Sequence, residues 1–253
     1  MVGHKNGSGR VKTARRVFDI VELVCDAGAV GTLEVSTELG IAKSTAHGYL
    51  MTLEEQGWLV RDGDQFRIGS IFLKYGRETR ESLDVLGTVE PTLQRCAEET
   101  GETVWYVTRE QGRAVYVSKE EGRRASRTNG AVGKQAPLHA SACGKVVLAD
   151  QPDGRLDEID LPQYTAATIT TRDELRKEIA AVREDGIAYN DGETSSGLRA
   201  VACPIRADER LLGAITVSGP EGRLRGDVFR EELPTALRGA ASEIELNHSS
   251  PTF

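Results

Sequence analysis

Lys43, Ser44, Thr45 and His47 place a cation, two short hydroxyls and an imidazole within one short segment. Lys43 can hold a phosphate or a guanine edge, and Ser44 and Thr45 are small enough to donate at close approach. If these residues open a helix, the unsatisfied N–H groups of its first turn add an attraction for phosphate. Arg10, Lys12, Arg15 and Arg16 precede them, and Arg61, Gln65 and Arg67 follow. The first 18 residues carry five basic side chains and no acid, on a chain of 253 residues whose net charge is −7. A basic leading segment on an acidic body suits a protein that meets phosphate with one part only, although a solvated tail has the same composition.

A second group is His139 and Cys143, four positions apart, with Cys203 further on. A thiol at a helix N-terminus is stabilised as thiolate, which makes a thiol sensor, or with Cys203 a metal sensor, the alternative reading. Nucleophilic catalysis needs an orienting acid and an oxyanion site as well, and the sequence points to neither. The expectation is therefore no enzyme, no cofactor and no resident metal. Cys25, Cys96, Cys143 and Cys203 are scattered without C-x-x-C spacing, so buried free thiols account for them most simply. With 39% hydrophobic and 28% charged residues the chain can build a packed core. No apolar run reaches the roughly 20 residues of a membrane span, and residues 1–12 lack the apolar centre of a secretory signal. The expected location is the cytoplasm.

The elements that would position the first group follow from periodicity. Residues 13–26 have helical spacing, with Ala14, Val17, Phe18, Val21, Val24 and Cys25 on one stripe. Thr32 is a plausible N-cap for a helix over 33–39, Gly40 turns the chain and Ile41 packs inward. A third helix over 43–56 puts Ala46, Leu50 and Leu53 inside. Asp62-Gly63-Asp64 between two short apolar runs is a hairpin signal. Three helices and a hairpin make a winged helix-turn-helix, whose second paired helix enters the major groove. Ser36, small enough for close helix crossing, and Thr37 join the DNA-facing set.

Residues 70–86 read as a connecting helix with little of its own to pack on, able to pair with a second copy. Another helix is expected over 91–99. Beyond it lie a hairpin over 103–108 and 113–118, a polar loop over 123–135, a short helix over 142–149 and an irregular stretch over 151–170. A clear helix over 172–185 ends at Gly186. Strands over 187–190, 198–204 and 211–218 follow, then a helical region over 227–246 that Pro234 must start or kink. The fold class is α+β, divided into a winged helix-turn-helix domain (1–69), a linker helix (70–88) and a sensor-type domain (89–253).

Ala42-Lys43-Ser44-Thr45-Ala46-His47, Leu50, Leu53, Gly57-Trp58 and Phe66-Arg67-Ile68-Gly69 resemble the DNA-binding domain of IclR-type transcriptional regulators. The second half resembles the same family independently, in Pro137-Leu138-His139-Ala140-Ser141-Ala142-Cys143-Gly144-Lys145, Gly186-Ile187-Ala188-Tyr189, Gly197-Leu198-Arg199 and 214–220. The resemblance implies a GAF-like effector domain, a dimer or dimer of dimers, a palindromic double-stranded operator and a small organic effector, commonly a carbon catabolite. Carried over position by position, it puts Ala142, Cys143, Asn190, Leu198, Ala200, Thr216 and Ser218 around the effector. A helix start at 142–145 offers N–H donors to a carboxylate. Strand alternation pairs Leu198 with Ala200 and Thr216 with Ser218, which gives an apolar wall and a polar wall. Gly48 stands where the family often has a basic residue, and Asn190 where it often has an acid.

Overall fold

The computed structural model describes residues 11–125 and 130–249. They form two compact units, one ending at Leu83 and the other beginning at Asp84.

The first unit begins with α1 (Lys12–Ala27), ended by Gly28 at φ 82°. The stripe that packs inward is Val17, Ile20 and Val24, with Leu23 beside it. The expected stripe lies partly on the other side: Phe18 is 67% exposed, and Ala14 and Cys25 are exposed too. The helix carries two apolar faces, and periodicity alone cannot say which one the neighbours cover. A two-residue strand β1 (Val30–Gly31) precedes α2 (Thr32–Glu38). Thr32 is therefore the first helical residue and Gly31 the cap, because Gly31 is held in extended form by pairing with Gln65.

Gly40 turns the chain into α3 (Lys43–Glu55), which buries Ala46, Leu50 and Leu53. Strands β2 (Leu59–Asp62) and β3 (Gln65–Ile68) form the wing, with β3 between β1 and β2. The connecting helix is shorter than expected: α4 (Ile71–Glu81) is capped at Ser82. It is also better packed than expected. Trp58 stacks on Tyr75 and meets Phe72 edge-on, both at 5.2 Å between ring centres. The sequence expectation missed this because the rings lie 14 and 17 positions from Trp58.

The second unit opens with α5 (Leu86–Thr100), which takes in Pro91 rather than starting there and ends at the left-handed Gly101. Its sheet has the order β6 (Gln135–Ala136), β5 (Arg113–Glu121), β4 (Thr103–Glu110), β9 (Arg210–Pro220), β8 (Leu198–Ala207) and β7 (Ala188–Asp191). Every neighbouring pair is antiparallel. Helices α6 (Ala142–Ala149) and α7 (Arg172–Asp185) lie over one face. Helices α5 and α8 (Leu233–Ser249) cover the other, with Pro234 at the start of α8 after a π-helical turn over Val228–Glu232. On the α6 side the adjacent strands β7, β8 and β9 present alanine repeatedly: Ala188, Ala200, Ala202 and Ala214 are all buried there. Small side chains on a sheet face leave unfilled volume above it, and a cavity lies over this stretch of the sheet.

Candidate functional site

In the first unit, α3 presents Lys43, Ser44, Thr45 and His47 on its exposed surface. No side chain caps the helix at Ala42, so its first-turn N–H groups keep donors to offer outward. Lys12, Arg15 and Arg16 are exposed on α1, and Gln65 and Arg67 alternate outward on β3 while Phe66 is buried between them. Arg61 is tethered, its Nε donating to the Gly63 carbonyl at 2.9 Å. Ser36 and Thr37 are spent internally. The Ser36 hydroxyl donates to the Ile41 carbonyl at 2.7 Å and locks the turn between α2 and α3, and Thr37 donates to Leu33 at 2.9 Å. Arg10 lies outside the described residues.

In the second unit a cavity of about 250 Å³ opens between α6 and the sheet. All seven residues carried over by resemblance line it: Ala142, Cys143, Asn190, Leu198, Ala200, Thr216 and Ser218. Register explains how they meet. Asn190 pairs with Ala200, Ala200 with Ser218, and Ala202 with Thr216, so one rung of the ladder after another faces the same way. This corrects the expectation of an apolar and a polar wall: the four strand positions are neighbours on one floor, because β8 and β9 are adjacent. Trp105, Tyr116, Ser141, Tyr164 and Thr194 also line the space. Trp105 pairs with Thr216 across β4 and β9, a pairing of segments more than 100 positions apart that no local signal reveals. Ser141 was readable as the N-cap before a helix.

The polar groups here are largely committed. The Ser141 hydroxyl accepts the Gly144 N–H at 3.0 Å and donates to the Pro137 carbonyl at 2.6 Å. Ala142 and Cys143 contribute the other N–H groups at the start of α6, and that of Cys143 also leans on its own thiol. A Cβ on Gly144 would stand 2.4 Å from the Pro137 oxygen, so only glycine fits there. The Thr216 hydroxyl donates to Val201 at 2.8 Å, and the Trp105 indole donates to Ser218 at 3.2 Å. Asn190 is also less free than a neutral ligand donor would be. Its oxygen accepts the Glu193 N–H at 2.8 Å and its amide donates to Thr194 at 2.7 Å, shaping the loop between β7 and β8.

One turn along α6 from Ala142, Lys145 is 1% exposed. Its ammonium donates to Glu178 at 2.8 Å, to the Tyr189 carbonyl at 2.8 Å and to Glu193 at 2.6 Å. Burial holds the Glu193 carboxyl above the usual carboxylate range, against the opposing pull of Lys145. Thr165 and Thr168 donate to the backbone of Gly192 and Glu193, which ties the segment bearing Tyr164 to the same loop.

The thiol and metal alternative has no support in this geometry. Burial pushes the Cys143 thiol up, outweighing its hydrogen bonds with Ser141 and Tyr116, so it is not a poised thiolate. Cys143 packs on the sheet face that carries Ala200 and Ala202, whereas Cys203 alternates to the opposite face. The His139 ring is used by the Pro162 carbonyl at 3.0 Å and stacks against Tyr164 at 5.7 Å. Among the described residues no group of three His, Cys, Asp or Glu side chains is placed to hold a metal ion, and no helix is long and apolar enough to cross a membrane.

A winged helix-turn-helix with an open recognition helix, and a separate α/β unit holding a small, partly open cavity, define a DNA-binding regulator with a sensory domain. Comparison with known proteins agrees. Residues 13–63 match the IclR helix-turn-helix domain and residues 78–246 the C-terminal domain of bacterial IclR transcriptional regulators. The chain belongs to the IclR family of transcriptional regulators, with a DNA-binding N-terminal domain and an effector-binding C-terminal domain. It is 30% identical over 246 residues to the probable HTH-type transcriptional regulator ArcR of Halobacterium salinarum, covering 94% of each chain. It is 28% identical over 249 residues to the transcriptional repressor IclR of Escherichia coli, covering 94% of this chain and 90% of that one. A transcriptional regulator from Rhodococcus sp. RHA1 has the same fold at a TM-score of 0.77 and 28% identity, covering 94% of this chain and 98% of that one.

Proposed function

We propose that this chain acts in the cytoplasm as a homo-oligomer on a palindromic operator, and that a small organic effector, a carbon catabolite, occupies the cavity and alters operator affinity. In this reading the protein catalyses no reaction. Residues 1–69 read DNA, 70–88 connect and pair copies, and 89–253 sense. The DNA contacts are Lys43, Ser44, Thr45 and His47 on α3, with Lys12, Arg15, Arg16, Arg61, Gln65 and Arg67 on the phosphates and wing. Arg10 joins them from the leading segment. Ser36 and Thr37 support the turn. The effector contacts are Ala142, Cys143, Asn190, Leu198, Ala200, Thr216 and Ser218.

The observation that carries the sensory half is the convergence of those seven positions on one partly open space of about 250 Å³, a little below the usual range for small-molecule sites. Aromatic rings from Trp105, Tyr116 and Tyr164 and the amides of Ala142 and Cys143 suit a compact molecule with an apolar body and a polar or anionic end.

The test is a thermal-shift screen of organic acids, sugars and aromatic compounds, since a ligand of the folded state raises Tm. A hit is then added to an operator-binding assay. The expected result is a change in operator Kd that disappears in Ala200→Phe, which fills the floor of the cavity. A response that survives Ala200→Phe would move the effector elsewhere. On the DNA side, Lys43→Ala should weaken operator binding at moderate salt, and unchanged binding would displace the contact surface.

A further inference from the structure

The recognition helix contains a position that the protein's own packing does not explain. Ala46, Leu50 and Leu53 define the inner face of α3. At about 100° per residue, the opposite stripe runs through Ser44, Gly48, Met51 and Glu55, and all four are exposed. Gly48 sits in mid-helix, where glycine is less stable than alanine. Its backbone is not among the left-handed positions, and a Cβ built on it would meet nothing within 4 Å. Neither backbone strain nor a close neighbour inside the chain calls for a missing side chain there. Beside it, the Thr52 hydroxyl turns back to donate to the Gly48 carbonyl at 2.8 Å, which withdraws a polar group from the same surface. One turn along the stripe, Met51 is 36% exposed and outside the buried core.

We propose that Met51 reads the 5-methyl group of a thymine in the major groove, and that Gly48 is bare so that this turn of α3 can lie close against the bases. The inference rests on α3 being the DNA-reading helix. Past its first turn the outward stripe has no cation with which to grip a guanine; its one charge is Glu55, at the helix end. In the major groove thymine alone presents an apolar group, and the other bases present only donors and acceptors. A flexible, unbranched thioether fits such a methyl without demanding fixed geometry. Glycine is the residue that lets a backbone approach a ligand closely.

The experiment uses the full-length protein and an operator selected from random duplexes. Each thymine of a half-site is replaced in turn by deoxyuridine, which lacks only the methyl, and Kd is read by fluorescence anisotropy. At one position per half-site the replacement should weaken the wild type about fourfold, the scale of one buried methyl. Met51→Ala should bind the thymine and uracil duplexes equally at that position. Gly48→Ala should raise Tm, so that it is folded, and yet bind the operator about tenfold more weakly, the scale of one lost base contact. The inference is overturned if the wild type tolerates uracil everywhere, if the uracil penalty persists in Met51→Ala, or if Gly48→Ala binds like the wild type. A selection that yields no bound duplex overturns the DNA reading itself and the inference with it.

Discussion

Lys145 places three hydrogen bonds on Glu178, Glu193 and the Tyr189 carbonyl, with one Glu193 oxygen left without a partner. Removing the cation leaves a buried carboxylate uncompensated, which costs far more than the pair itself contributes. Lys145→Ala is expected to lower stability by about 3 kcal/mol, at the lower end for a broken buried pair because Glu178 is partly exposed. Urea denaturation measures it. Lys145→Met combined with Glu193→Gln should recover part of the loss, and no recovery would mean that charge is not the cause. His139 gives a pH dependence. Burial is the largest influence on its ring and holds its pKa below 6.5. The folded state therefore favours the neutral ring, and the stability this contributes is present above pH 6.5 and lost as pH falls below it. Tm of the wild type should drop more steeply below pH 6.5 than that of His139→Gln, which can still donate to Pro162. Parallel curves would assign the acid sensitivity to other groups.

At the scale of elements, α4 is held to the winged domain by aromatic contact rather than by a continuous apolar stripe. Trp58 follows α3 and meets both Phe72 and Tyr75 on α4. Such ring pairs contribute about 0.5–1.5 kcal/mol each beyond the area they cover. Trp58→Ala should therefore release α4 selectively, with amide exchange over 71–81 accelerating by at least tenfold while the buried turns of α3 change less. Equal acceleration in both helices would show that Trp58 supports the whole unit. Within the sensory unit, α6 has its start fixed by Ser141 and its first turn pressed against the 137–138 backbone at Gly144. Gly144→Ala is expected to destabilise by about 2 kcal/mol or more through overpacking against a carbonyl oxygen.

At the scale of the molecule, the exposed apolar residues of the first unit bear on assembly. Leu73 on α4, within the segment proposed to pair copies, is 76% exposed, and Phe18 on α1 of the same unit is 67% exposed. Sedimentation should give a species heavier than one chain. Phe18→Lys with Leu73→Lys should shift it toward the monomer and weaken operator binding, since a palindrome is read by two copies. A double variant that keeps the wild-type mass would place the pairing surface elsewhere.

The sequence by itself determined most of the order of elements and the chemistry they carry, though not the two-residue strands β1 and β6, which exist only by pairing with the distant β3 and with β5. The turn at Gly40, the Asp62-Gly63 wing and the helix opening at Lys43 are local signals, and local backbone physics realised them. The positions later found around the cavity were also legible, but only through resemblance, because nothing local says that Asn190 and Ser218 are two strands apart on one floor. Tertiary structure alone decided the strand order that sets Trp105 beside Thr216, the face on which α1 packs, and the aromatic seat of α4 on Trp58. It also decided which polar groups stay available. Asn190, Thr216 and Ser218 look like ligand contacts in sequence, yet the fold spends much of their hydrogen-bonding capacity on itself, since buried polar groups must find partners before any ligand arrives.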